Sequence, residues 1–178
     1  MDGKGANSAL LVIDMQKVYL PENKWACIHM RNTIKNIEKR IKSFPKDHVF
    51  FTKFVASSTP CGIWKDYNKI YSQINSSIIL NDYIDEFQKY ITGENSFEKS
   101  TFSSLSNKTL YEKLNHFETI YVTGVISECC ILSSIFSLID MGKKVIYCMD
   151  SISGKNEETE NAVITILKQV SPLHVIIE

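Results

Sequence analysis

Five consecutive apolar residues, Ala9 to Ile13, run straight into a carboxylate, Asp14. A strand with one wet face alternates apolar and polar residues. An unbroken apolar run needs cover on both faces, as strands of parallel sheets have. Parallel strands are joined by long crossovers, usually helices, so this segment sets a demand on the rest of the chain.

The chain meets that demand. Residues 28–44 place Ile34, Ile37, Ile41 and Phe44 at helical spacing among Lys and Arg, and Pro45 ends the pattern. Residues 48–55 (HVFFTKFV) read as a second strand, and residues 94–98 (ENSFE) as a third that ends at Lys99. Between them, residues 63–74 hold Trp64, Tyr67 and Tyr71 and read as irregular or partly helical, and residues 78–91 as a connection with a helical turn or two. Leu110 and Leu114 belong to a helix that Asn107 or Thr109 caps. Residues 119–123 form a fourth strand, followed by a helix from Cys130 to Met141 that Gly142 terminates. Residues 144–149 form a fifth strand ending at Asp150, residues 157–168 a helix with an acidic first turn, and residues 173–177 a sixth strand. Alternation of this kind predicts an α/β fold with a mostly parallel sheet between helices. With no repeat, low-complexity stretch or linker, residues 1–178 are expected to form one domain.

Composition narrows the function classes. Twenty basic residues balance twenty acidic ones, so the overall field gives no reason to expect nucleic acid or an anionic membrane as partner. The opening MDGKGANS lacks the apolar core of a signal peptide, and no run of about 18 apolar residues exists. The five cysteines (27, 61, 129, 130 and 148) are odd in number and match no zinc spacing. Together these features predict a cytoplasmic protein with reduced thiols.

Asp14, Lys99 and Cys130 each lie at or just past the carboxyl end of an expected strand, which is the edge where open α/β sheets bind ligands. A carboxylate there accepts a thiol proton and returns it to a leaving group. An ammonium lowers the thiol pKa, and a strand-to-helix turn favours thiolate further. The thiol then attacks a carbonyl, and the backbone N–H groups of Ile126 and Cys130 are placed to hold the oxyanion.

Three segments carry a resemblance to a known family: ALLVIDMQ (residues 9–16), EKSTFS (residues 98–103) and VTGVISECCILSSIFSLIDMG (residues 122–142). They resemble the isochorismatase-like cysteine hydrolases, which include nicotinamidases and N-carbamoyl amidases. The resemblance implies a three-layer, Rossmann-like fold with strand order 3-2-1-4-5-6, an Asp14–Lys99–Cys130 triad, and a non-proline cis peptide at Val125–Ile126. Counting from Gly124 puts the family's cysteine on Cys130 and leaves Cys129 at a variable position, expected to point elsewhere. Where nicotinamidases carry an Asp and two His as metal ligands, this chain reads FVASSTPCGIWKDYNKI, without histidine. No metal and no other cofactor is therefore expected. Ser134 and Ser137 stand where the family has Thr and Asp. Isochorismatases proper need no nucleophilic Cys, so its retention implies chemistry on an amide or carbamoyl C–N bond.

Tyr19, Trp64 and Phe102 are the expected pocket walls, with Trp25 and Phe54 as further candidates. His29, His48, His116 and His174 are scattered and read as structural. Residues 131–141 are apolar nearly all round, which predicts a helix buried under loops or against another chain. Relatives are commonly oligomers, so a homo-oligomer, dimer or tetramer, is expected. Two rival readings remain: an inactive binding protein on the same fold, and a redox sensor using Cys129 and Cys130.

Overall fold

The computed structural model describes residues 7–178. In chain order they form β1 (Ser8–Ile13), α1 (Met30–Ile41), β2 (Val49–Phe54), four short helices α2 (Trp64–Ile70), α3 (Ser72–Asn75), α4 (Ile78–Asn81) and α5 (Asp85–Gln88), β3 (Ser96–Lys99), α6 (Lys108–Asn115), β4 (Thr119–Val125), α7 (Leu132–Asp140), β5 (Lys144–Ser153), α8 (Glu157–Leu167) and β6 (Val175–Ile177). All six strands join one sheet of order 3-2-1-4-5-6. Every neighbouring pair is parallel, so the sheet is wholly rather than mostly parallel.

The apolar run of β1 does what an unbroken run must. Ala9, Leu11 and Ile13 face one core, filled by Leu110 and Leu114 of α6, Ile135 and Leu138 of α7, and Val163 and Leu167 of α8. Leu10 and Val12 face the other, filled by Met30, Ile34, Ile37 and Ile41 of α1 together with Ile74 and Phe87. All five side chains from Ala9 to Ile13 are fully buried. Burying a large aliphatic side chain is worth about 1.5–3 kcal/mol, so β1 anchors both layers. It is also central, between β2 and β4, and the order reverses at the β1/β4 step.

Several boundaries differ from the sequence expectation for identifiable reasons. Helix α1 starts at Met30 because the Ile28 N–H donates to Gly154 O (3.1 Å) and His29 adopts φ +57°. Strand β3 extends to Lys99, which pairs with Phe54 and therefore ends the strand from within. The sixth strand begins only at Val175, since a turn on Ser171 O takes the N–H groups of His174 and Val175. Strand β5 continues past Asp150 to Ser153. Its register against β4 jumps between Val122–Tyr147 and Gly124–Ile152, leaving an irregular stretch that pairs again beyond it. Asn107, not Thr109, caps α6, its side chain accepting from the Leu110 N–H at 3.0 Å. Helix α7 is not buried all round either: Ile135 and Leu138 are fully buried, but Phe136 is 40% exposed.

Candidate active site

Each reactive side chain is delivered by the end of a strand. Asp14 follows β1 directly with φ +52°, a left-handed conformation that Asp tolerates better than most residues. Its N–H donates to Thr52 O (3.0 Å), and its carbonyl accepts from the Gln16 N–H (2.7 Å). Gln16 is the clamp beside it. Its amide oxygen accepts from the Phe54 N–H at 2.8 Å, and its nitrogen donates to Phe54 O at 3.0 Å and Asn81 O at 2.8 Å. Lys99 closes β3, two strands away from β1, and its side chain spans β2 over the Phe54 ring (5.6 Å to the centroid). Cys130 sits in a single π-helical turn, Ser127–Ile131, between β4 and α7. The Ile126 carbonyl closes that turn, accepting the N–H groups of Cys129 and Ile131, both at 3.1 Å.

The three side chains meet. Lys99 Nζ lies 2.6 Å from Asp14 Oδ2 and 3.5 Å from Cys130 Sγ, and it also donates to Thr101 O at 3.1 Å. Asp14 Oδ1 accepts from the Thr52 hydroxyl at 2.8 Å. Oδ2 touches the ammonium closely but receives no aligned hydrogen bond, so one carboxylate oxygen keeps a lone pair available. All three residues are nearly sealed from solvent, Asp14 at 0% and Lys99 and Cys130 at 4% exposure.

This burial overturns the expected thiolate. Burial itself pushes the Cys130 thiol well up, Asp14 adds to the rise, and Lys99 opposes it without winning. In the resting site Cys130 is therefore a thiol. For Lys99, burial pulls the pKa down, but Asp14 and Cys130 outweigh it and raise it, so the ammonium stays charged. The site thus holds a charged Lys99 beside a neutral Cys130.

Above the sulfur lies a cavity of about 260 Å³, lined by Tyr19, Trp25, Phe54, Tyr67, Tyr71 and Phe102, with Ile126, Cys129 and Cys130 at its base. Trp64 does not line it. Its ring packs behind the wall, 5.1 Å from both Tyr67 and Phe102 and 6.3 Å from Phe54. Tyr67 and Tyr71 take the wall positions instead; helical spacing within residues 64–71 is the signal that would have found them. Cys129 also does not point away as expected, but lines the same cavity as Cys130. Ile126 follows a cis peptide bond, Val125–Ile126.

A six-stranded parallel sheet wound by helices on both faces, with reactive side chains gathered at the point where strand order reverses, defines a doubly wound α/β protein with its ligand crevice at the switch point. The chain belongs to the isochorismatase domain family, which matches residues 8–174. No curated protein matches the sequence. Solved structures share the fold. An isochorismatase-like hydrolase from Alkaliphilus metalliredigens superposes with a TM-score of 0.73 at 18% identity, covering 97% of this chain and 94% of that one. Nicotinamidase from Bacillus subtilis gives 0.74 at 13% identity, covering 96% and 98%. Pyrazinamidase of Pyrococcus horikoshii, solved in complex with zinc, gives 0.71 at 17% identity, covering 97% and 98%.

The residues here do not fit a metal centre. The segment after β2 offers Cys61 and Asp66 but no histidine. Among the described residues no three His, Cys, Asp or Glu side chains gather as a ligand group.

Proposed function

We propose that this protein is a cysteine hydrolase that cleaves the C–N bond of a small amide or carbamoyl compound through an acyl-thioester on Cys130. The observation that carries the reading is the ammonium of Lys99 held between Asp14 Oδ2 at 2.6 Å and Cys130 Sγ at 3.5 Å, beneath an aromatic-walled cavity.

The resting protonation state dictates the order of events. Cys130 enters as a thiol, so its proton must leave as the sulfur attacks. Asp14 Oδ2 is the acceptor with a lone pair to spare. Lys99 compensates the negative charge as it passes from carboxylate to sulfur, in a site where low dielectric strengthens that attraction. The carbonyl carbon bonds to sulfur, and the oxyanion is held by the Ile126 and Cys130 N–H groups. As the C–N bond breaks, the proton on Asp14 moves to the departing nitrogen. Asp14, ionised again, takes a proton from water. The hydroxide equivalent attacks the thioester, the acid leaves, and the proton returns to sulfur. The relatives named as nicotinamidase and pyrazinamidase support an amide as the bond cleaved.

The test is ammonia release from a panel of nicotinamide, N-carbamoyl compounds and small amides by wild-type protein, Cys130→Ala and Asp14→Asn. The reading requires at least one substrate for the wild type and loss of about 10³-fold or more in both variants. Turnover that survives Cys130→Ala sinks it.

A further inference from the structure

Asp14 is held by one neighbour at two points. Its N–H donates to Thr52 O at 3.0 Å, and its Oδ1 accepts from the Thr52 hydroxyl at 2.8 Å. Thr52 is itself fixed. It is fully buried in β2, one residue past the Val12–Phe51 pair with β1 and opposite Phe97 of β3. Its β-branched side chain has few rotamers open to it. Two residues on, the Gln16 amide grips Phe54 through both its N–H and its carbonyl (2.8 and 3.0 Å), which locks this end of β2 to the turn that carries Asp14.

Lys99 cannot do the same task. An ammonium is a compact charge with rotatable donors and takes either carboxylate oxygen. A hydroxyl in a fixed place favours one orientation of the carboxylate plane. With Oδ1 turned to Thr52, Oδ2 is the oxygen left beside the Lys99 ammonium, 2.6 Å away, and that ammonium also lies 3.5 Å from Cys130 Sγ. Oδ2 receives no aligned hydrogen bond of its own. We propose that Thr52 is a positioning residue whose hydroxyl selects Oδ2 as the oxygen that takes the Cys130 proton. This rests on the reading of Asp14 as the base for that thiol. Thr52 keeps its own proton throughout and does not line the cavity. Removing its hydroxyl leaves Oδ1 without its donor and frees the carboxylate to turn. Both changes hinder proton removal and leave the walls that bind substrate as they are.

The rate at which iodoacetamide, a neutral electrophile, alkylates Cys130 reads proton removal without any substrate. It is followed by peptide mapping in wild-type protein, Thr52→Val, Thr52→Ser and Asp14→Asn, beside kcat and KM on an amide found active in the panel. Val keeps the branched shape and lacks the donor. From the strength of hydrogen bonds to charged groups, Thr52→Val should slow alkylation and lower kcat by about 10- to 100-fold, with KM little changed. Thr52→Ser restores the donor and should recover most of the lost rate. A threonine that merely ties β2 to β1 would cost stability and leave the folded protein fully reactive. Wild-type rates in folded Thr52→Val therefore overturn the inference, and so does a loss that Thr52→Ser shares in full. If Thr52→Val does not fold, NMR of the wild type decides. The Thr52 hydroxyl proton should resist exchange with water and shift in Asp14→Asn; a proton that exchanges as freely as that of a surface threonine overturns the inference. Slowed alkylation in Thr52→Val, with no amide hydrolysed by the wild type, leaves the role of Thr52 standing and sinks the hydrolase reading instead.

Discussion

Asp14 and Lys99 are a fully buried ion pair, and a buried pair is far more sensitive to losing one member than to losing both. Lys99→Met or Asp14→Asn should each destabilise the protein, the former by about 3–5 kcal/mol because it strands a carboxylate. The double variant Asp14→Asn/Lys99→Met should recover much of that stability and none of the activity. Urea unfolding alongside an activity assay separates the two effects; a double variant as unstable as the sum of the singles contradicts this account. The thiols give a pH prediction. Cys27 is raised from 9.0 to about 12 by burial, and Cys130 is raised by burial and by Asp14. A raised thiol pKa means that the unfolded chain ionises first, so this contribution is intact below about pH 9 and is lost as pH climbs toward the folded value. Stability should fall from about pH 9 upward, and Cys27→Ala should flatten that slope in denaturation curves taken at pH 8 to 11. At this scale the meeting of Asp14, Lys99 and Cys130 on one sheet edge was legible, because each sits at or just past the end of a recognisable strand. The raised pKa of Cys130 was not: a local motif carries the helix dipole and a nearby lysine, but not the burial that the rest of the chain imposes.

The site depends on elements meeting at close range, above all β1 and β4. Gly124, at φ +110°, passes so near β1 that a Cβ there would stand 2.1 Å from Ile13 O. No small rotation relieves a clash with backbone, and the dihedral disfavours any side chain. Gly124→Ala should therefore leave little folded protein, read by thermal unfolding and soluble yield; a melting temperature within a few degrees of wild type contradicts it. A second tie joins the segment after Lys99 to the helix after Cys130. Ser134 Oγ accepts from the Ser104 N–H at 2.9 Å and donates to Cys130 O at 2.7 Å, and Ser103 and Ser137 hydroxyls meet at 2.8 Å. Ser134→Ala should lower kcat more than it raises KM, since it loosens the thiol's turn without touching the cavity wall. Ser134 and Ser137 were visible as departures from the family pattern, but their pairing with Ser103 and Ser104 was not, because serine spacing says nothing of which loop arrives opposite. The length of β5 was hidden for a similar reason: Asp150 reads as a strand end, and only the paired neighbour shows that the strand resumes at Ile152.

At the scale of the molecule, strand order brings residues far apart in sequence onto one edge. Two cores clamp the sheet, one against α1 and the short helices and one against α6, α7 and α8. Among the described residues no helix is long and apolar enough to cross a membrane. The fold was legible because alternating strand and helix patterns leave few topologies open, and the strand order came with the family resemblance. The pocket was legible only in part. Tyr19 and Phe102 line it, but Trp64 does not: by spacing it shares a helical face with Tyr67 and Tyr71, yet at the start of α2 its ring packs against Tyr67 and Phe102 instead of facing the cavity. Within one chain the helix over residues 131–141 buries Ile135 and Leu138 and leaves Phe136 40% exposed. Other exposed apolar side chains include Ile63, Ile70, Ile78 and Ile79 around the short helices.

The central claim is that Cys130, and not its neighbour, forms the covalent intermediate. The most direct measurement is mass spectrometry of protein acid-quenched during turnover of an amide found active in the panel, with peptide mapping across Cys129 and Cys130. The account predicts an adduct of the acyl group's mass on Cys130, absent from Cys130→Ser and retained in Cys129→Ala. An adduct on Cys129, or steady product formation by Cys130→Ser, would contradict it.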